Sequence, residues 1–298
     1  MSRTMTTDIQ RARDLLAHLV SRPDGTIQDY RDLYDEVLAT FPLPAEASSE
    51  AVDAGGVPSY WVRDRAVESS TVAVLVHGGG WCMGTAAGYQ ELAHRISAAA
   101  RCRVLVVDYR LAPEHPYPEP LDDVLTAYRF ARSQPGVTSV ALVGDSSGGG
   151  LVTGAVVALR ENGETPPDAL VLMSPLVDLT GEAASLVERA DRDPLPARAL
   201  VEQMGGAFLA GRDPKATPLA SPLWADLHDF PPTLALVGTD EGLYDDAVRL
   251  IDKIVAAGGE ATLEVGENMV HIWPLFSFLP QARAATDLIG RFLAKHLA

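Results

Sequence analysis

The stretch Gly144-Asp145-Ser146-Ser147-Gly148-Gly149-Gly150 follows directly on the apolar run Val140-Ala141-Leu142-Val143. Glycines this dense have two chemical uses: they cradle a phosphate, or they clear space around a reactive side chain. A phosphate loop needs G-x-G-x-x-G, or G-x-x-x-x-G followed by Lys and then Ser or Thr. The spacing here fits neither, and no lysine is within reach. What remains is G-x-S-x-G, a strand-to-helix turn that lifts a serine hydroxyl above the edge of a sheet. The flanking glycines answer a steric need, because so tight a turn has no room for side chains two positions to either side. The helix that follows points its N-terminal amides at the serine and favours developing negative charge. Ser146 is therefore the candidate nucleophile, and Ser147 offers its backbone N–H.

A serine hydroxyl needs a base, and the attacked carbonyl oxygen needs donors. The run VAVLV (72–76) ends in His77-Gly78-Gly79-Gly80-Trp81. Residues this small let the N–H groups of Gly79 and Gly80 face a tetrahedral intermediate, and losing one such donor costs ~3–4 kcal/mol. His77 precedes the nucleophile and is read as a residue that holds the loop in shape. For an elbow of this type the chain order is serine, acid, histidine. Downstream of Ser146 stand His228, His271 and His296. His228 and His296 read as surface residues, which leaves His271, just after the last apolar run, as the base. The acid is expected after TLALVG (233–238), where Asp240 and Glu241 both stand and Asp245 and Asp246 open the next helix. Spacing does not separate Asp240 from Glu241. One should accept a hydrogen bond from the His271 ring, and the other is left to solvent or a helix cap. Asp145 is assigned supporting hydrogen bonds. No metal-ligand spacing occurs, and the chemistry calls for no cofactor.

These residues must be positioned by regular elements. Ile9, Leu15, Leu16, Leu19 and Val20 fit one amphipathic helix, and Tyr30, Leu33, Tyr34, Val37 and Leu38 a second. AVDAGG and VPSYWVRD, from about residue 51, read as an edge hairpin. Short runs at 72–80, 103–110, 139–149, 169–175, 233–241 and 261–268 read as strands buried on both faces, separated by helix-length segments. That alternation implies an α/β fold with a mostly parallel sheet flanked by helices. Residues 180–225 carry helical patches and no strand. They are read, with residues 1–45, as a helical cap over a core formed by 46–179 and 226–298. Within the insertion, Met204, Phe208 and Trp224 are candidates to line an acyl pocket. The GDSGG pattern of all-β serine proteases is excluded, because Ser147 interrupts it and the motif joins a buried strand to a helix.

The 298 residues suffice for a large core, and a net charge of −16 argues against nucleic acid and anionic membrane as partners. Two cysteines, Cys82 and Cys102, are too few for a disulfide scaffold. The N-terminal residues lack an apolar signal core, and no run reaches the ~20 apolar residues of a membrane span. A cytoplasmic location is the expectation.

HGGGW, DYRLAPEHPYP (108–118), GDSSGG, SPLWADLHDFPPTLALVG and NMVHIW occur in one chain in this order. Together they resemble the hormone-sensitive-lipase branch of the α/β-hydrolases, the family IV bacterial carboxylesterases, over roughly residues 55–298. The resemblance implies a triad of Ser146, an acid and His271, with oxyanion amides from Gly79, Gly80 and Ser147. The family's elbow has alanine where this chain has Ser147. Its acid loop reads D-x-L-x-D, and Glu241-Gly242-Leu243-Tyr244-Asp245 keeps that register with Glu first, which favours Glu241 and leaves Asp240 as the alternative. Arg110 and Glu114 are implied to brace the oxyanion loop and the floor of the site. The implied function is hydrolysis of small, short-chain acyl esters. Alternatives are amide, carbamate or acetyl-ester hydrolysis on the same triad, or a non-catalytic ligand-binding member of the fold. A homodimer paired through a terminal strand is a further implication.

Overall fold

The computed structural model describes residues 3–22, 24–195 and 197–298; expectations touching residues 1, 2, 23 and 196 lie outside them. The chain begins with α1 (Arg3–Leu19) and α2 (Ile27–Leu38). Thr26 caps α2: its hydroxyl accepts the Asp29 N–H at 3.2 Å while the Asp29 carboxylate accepts the Thr26 N–H at 2.8 Å. Tyr30, Leu33, Tyr34, Val37 and Leu38, which the spacing selected, are the buried face of α2. On α1, Ala12, Leu16 and Leu19 are buried.

An antiparallel hairpin of β1 (Ala47–Asp53) and β2 (Pro58–Asp64) then opens the sheet. Strands and helices alternate from there: β3 (Thr71–Val76), α3 (Gln90–Ala100), β4 (Arg103–Val107), α4 (Glu119–Ser133), β5 (Ser139–Asp145), α5 (Ser146–Glu161) and β6 (Ala169–Met173). The stretch that follows holds α6 (Ser185–Glu188) and α7 (Ala197–Leu209) and, among its described residues, no strand. β7 (Thr233–Gly238), α8 (Tyr244–Ala256), β8 (Ala261–Gly266) and α9 (Pro280–His296) complete the chain. The eight strands run in the order β1-β2-β4-β3-β5-β6-β7-β8, antiparallel at β1-β2 and β2-β4 and parallel elsewhere. Helices α3 and α9 pack together on one face, and α4 and α5 on the other. This is an α/β fold with a mostly parallel sheet flanked by helices and a helical cap region.

Strands β5, β6 and β7 are apolar and buried almost throughout, as the unbroken hydrophobic runs require. β8 departs from that reading. It is an edge strand whose residues are intermediate or exposed, with Val265 38 % exposed, because β7 covers only one of its sides. Both cysteines are buried free thiols. Among the described residues no helix is long and apolar enough to cross a membrane.

Ladder register brings the loops together. Val76 pairs with Gly144, Gly144 with Leu172, Asp145 with Met173, and Met173 with Leu236. The residues that follow each of these strands therefore emerge side by side at one end of the sheet. Gly238 pairs with Gly266, which places the loop after β8 beside the loop after β7.

Candidate active site

Ser146 is the first residue of α5 and has φ 49°, a left-handed conformation that is costly for a side chain with a Cβ. The elbow closes so tightly that a Cβ on Gly144 would lie 2.5 Å from the Gly148 carbonyl oxygen, and one on Gly148 would collide with the Val76 carbonyl. Glycine at both positions is therefore a packing requirement, as the G-x-S-x-G reading supposed.

His271 lies in the loop after β8, with its Nε2 3.0 Å from the Ser146 Oγ. Its Nδ1 is 2.7 Å from Oε2 of Glu241, a residue with no solvent exposure. A carboxylate can only accept, so Nδ1 carries the proton and Nε2 is free to accept from the serine hydroxyl. Burial alone would lower the pKa of His271. The Glu241 hydrogen bond and charge, with smaller contributions from Asp193 and Asp145, outweigh burial and raise it above its ordinary 6.5.

The two carboxylates that spacing left equivalent have separate partners. Asp240 contacts Arg13 of α1 at 2.5 Å and Arg192 at 3.9 Å, so it is neither solvated nor a helix cap. Glu241 alone reaches the imidazole. Its other oxygen, Oε1, accepts the Ser174 hydroxyl at 2.8 Å and the Gly238 N–H at 2.5 Å. The Ser174 Oγ in turn accepts the Ile272 N–H at 2.9 Å, tying the acid to the backbone beside His271. Sequence reasoning passed over Ser174. The available signal was a serine directly after a buried strand, in LMSP (172–175), the same position that Ser146 occupies after β5.

On the other side of Ser146, the loop after β3 offers its amides. Among the described residues the N–H groups of Gly79, Gly80 and Ser147 donate to no protein acceptor, while the Gly79 carbonyl is turned away to receive Cys82 and Met83. Asp145 holds this loop by accepting the Gly78 N–H at 2.9 Å, and it accepts the Tyr89 hydroxyl at 2.8 Å. Tyr89 is 2.6 Å from the Tyr34 hydroxyl of α2. Burial pushes Asp145 up to about 6, against the opposing pull of these donors. The Ser147 hydroxyl, where a methyl would serve the elbow equally, accepts the Trp81 N–H at 3.2 Å. His77 is buried, donates from Nδ1 to its neighbour Gly78 and stacks on Tyr109 at 4.3 Å, and burial lowers its pKa. It shapes the loop and does not touch Ser146.

The chain matches the α/β-hydrolase fold family over residues 73–275. It is 35% identical to an acetyl-hydrolase of Streptomyces hygroscopicus over 96% of both chains. A crystal structure of an esterase from the bacterial hormone-sensitive lipase family superposes with a TM-score of 0.95 at 38% identity, covering 100% of both chains. The protein belongs to the hormone-sensitive-lipase branch of the α/β-hydrolases. EstE5, solved after soaking with p-nitrophenyl butyrate, is also similar, with a TM-score of 0.91 at 32% identity over 97% of this chain and 98% of its own. Hydrolysis of the esterase type, through a serine nucleophile, comes with this membership.

The cap region of this hydrolase walls a partly open cavity of about 90 Å³ above Ser146. Leu16 and Leu19 of α1, Tyr30 and Tyr34 of α2, and Leu200, Val201 and Met204 of α7 form its walls. Only Met204 of the three insertion residues expected there lines it. Phe208 is fully buried against Trp81 at 4.5 Å, and Trp224 is 38 % exposed with its indole N–H on Asp178. Two other expectations are corrected by packing. Glu114 does brace the oxyanion side, through Arg31, which also donates to the carbonyls of Cys82 and Ala112. Arg110 instead pairs with Glu119 and Asp123 of α4. His228 is at the surface, but the His296 side chain is only 11 % exposed, because its ring packs on Phe292. Among the described residues no cluster of side chains fits a metal ion.

Proposed function

We propose that this protein is a serine carboxylesterase that cleaves short-chain acyl esters through an acyl-enzyme on Ser146. The Ser146–His271–Glu241 hydrogen-bonded line, with free amides at Gly79, Gly80 and Ser147 beside it, carries the reading. In the first half-reaction the Ser146 proton passes to His271 Nε2 as Oγ bonds to the ester carbonyl carbon. Negative charge gathers on the carbonyl oxygen, where the three amides receive it. His271 then returns the proton to the departing alkoxide, leaving the acyl group on Ser146. Water repeats the sequence, its proton going to His271 and then to Ser146, and the carboxylic acid leaves. Glu241 keeps the imidazole in the tautomer that presents Nε2 as an acceptor.

A small acyl group suits a cavity of about 90 Å³, well under the ~300–1,000 Å³ of drug-sized sites. Similarity to an acetyl-hydrolase and to an esterase soaked with a butyrate ester points the same way. The intact serine, histidine and acid weigh against a purely ligand-binding role. The test is a series of p-nitrophenyl esters from acetate to dodecanoate, with Ser146→Ala as control. Highest kcat/KM among the shortest acyl groups, and loss of turnover in the variant with an unchanged melting temperature, are expected. Undiminished turnover by Ser146→Ala would refute the nucleophile, and a preference for dodecanoate would refute the short-chain reading.

A further inference from the structure

Among the described residues that line the cavity over Ser146, one is a carboxylate, Asp193, and one a base that is positive only when protonated, His271. The other side chains of the wall are apolar apart from Ser146, Tyr30 and Tyr34. Asp193 comes from the cap insertion, just before α7. Its carboxylate accepts the Gly242 N–H at 2.7 Å and the Leu195 N–H at 2.9 Å. Among the described residues no lysine or arginine forms an ion pair with it, whereas the nearby Asp240 has Arg13. A neutral acceptor would satisfy two backbone donors without burying a charge. While His271 is a neutral base, the half-buried Asp193 carboxylate thus has no cationic partner, and it lines the space where substrate must lie. Burial raises its pKa despite the Leu195 and Gly242 N–H groups and the pull of His271, the sign of a charge whose desolvation is only partly offset.

We propose that Asp193 is a specificity residue that selects esters carrying an ammonium group, with the cation held between the Asp193 carboxylate and the Tyr30 and Tyr34 rings. This deepens the esterase reading and rests on it. An ammonium in the cavity supplies the missing counter-charge, and tyrosine faces attract cations through their quadrupole. The net charge of −16 raises the local concentration of cationic solutes and repels anionic ones, so the long-range field and the pocket act in the same sense. An anionic ester would be opposed by both.

The test uses pairs of esters alike in shape and different in charge. One pair varies the alcohol arm, 2-(dimethylammonio)ethyl butyrate against 3-methylbutyl butyrate. The other varies the acyl arm, p-nitrophenyl 4-(dimethylammonio)butyrate against p-nitrophenyl 5-methylhexanoate. The wild-type protein should favour the cationic member of at least one pair by roughly tenfold in kcat/KM at neutral pH. Added salt should shrink that ratio, and Asp193→Asn should bring it close to one. The readout is the ratio, so a general loss of rate from disturbing the Gly242 contact cancels. Equal or better use of the neutral member in both pairs, or a preference that survives in Asp193→Asn, overturns the proposal. If wild type cleaves none of the four, the esterase reading fails by itself. The inference is then decided by calorimetric binding of choline against 3,3-dimethylbutanol, where tighter choline binding lost in Asp193→Asn supports it and equal binding overturns it.

Discussion

Ser174→Ala removes one hydroxyl and leaves the proposed triad itself untouched. In the native protein that hydroxyl donates to Glu241 Oε1 at 2.8 Å and accepts from Ile272 N–H at 2.9 Å, both out of contact with solvent. A hydrogen bond to a charged group is worth about 1.5–3 kcal/mol, and an orphaned buried donor costs about 1–3 kcal/mol. The first term bears on Glu241 and hence on the imidazole it orients; the second bears on stability, through Ile272. The Gly238 N–H still holds Oε1, so we expect the lower end for catalysis, a fall in kcat/KM of roughly tenfold or somewhat more. Substrate affinity should change little, because Ser174 does not line the cavity. With one donor gone the Glu241 charge is less dispersed and holds the imidazolium more firmly. The acid limb of the kcat/KM profile should then move to higher pH. Ser174→Gly separates strain from hydrogen bonding, because Ser174 has φ 49°, which glycine adopts freely. It should lose as much activity as the alanine variant while melting at a higher temperature. Steady-state kinetics on p-nitrophenyl butyrate across pH, with thermal melts, gives every readout. Kinetics within twofold of wild type and an unmoved acid limb would show that Ser174 does not position Glu241.

Glu241→Gln should lower kcat by orders of magnitude, as loss of the orienting acid does in such triads, while Asp240→Asn should act mainly on stability through its Arg13 contact; the reverse ranking in parallel assays would transfer the role to Asp240. His271 must be neutral to act as a base, and its pKa is raised, so the acid limb of kcat/KM should have its midpoint above 6.5, and a midpoint below that value would contradict the Glu241 contact as its dominant partner. Asp246 accepts the Val177 and Asp178 N–H groups through one oxygen, leaves the other buried without a partner, and is pushed by burial from 3.8 up to about 7. A carboxyl raised in the folded state stabilises fully below its unfolded pKa, and that stability is lost as pH rises through the folded one. Denaturant unfolding should therefore show stability declining between pH 4 and 7 by up to about 4 kcal/mol from this group, and Asp246→Asn should flatten the decline; an unchanged slope in the variant would refute the assignment.

Local pattern identified the chemistry because that chemistry is written in adjacent residues. A serine between glycines after a buried strand can adopt few geometries, and three small residues after β3 can only expose amides. The helical face of α2 was legible for the same reason, since a 3.6-residue period needs no knowledge of the rest of the chain. Spacing did not separate Asp240 from Glu241, and only the family's acid-loop register favoured Glu241, because adjacent side chains at a strand end point apart and the distant partners decide which way each is used. Arg13, 227 positions away, takes Asp240, and His271, 30 positions away, takes Glu241. Phe208 and Trp224 were misplaced on the cavity wall because an apolar side chain in a cap is equally suited to burial against Trp81 or to a half-exposed surface.

The sequence by itself determined the α/β alternation, the tight turn at Ser146 and the small-residue loop at Gly79 and Gly80, since each follows from the stereochemistry of a few contiguous residues, and it singled out His271 as the candidate base by chain order. Tertiary structure alone decided that Glu241 meets His271, that Ser174 holds Glu241, that Asp240 binds the first helix, and that Asp193 lines the cavity with no lysine or arginine paired to it among the described residues. Those are pairings between segments that only the sheet's register brings within hydrogen-bond range, and register is a property of the assembled strands.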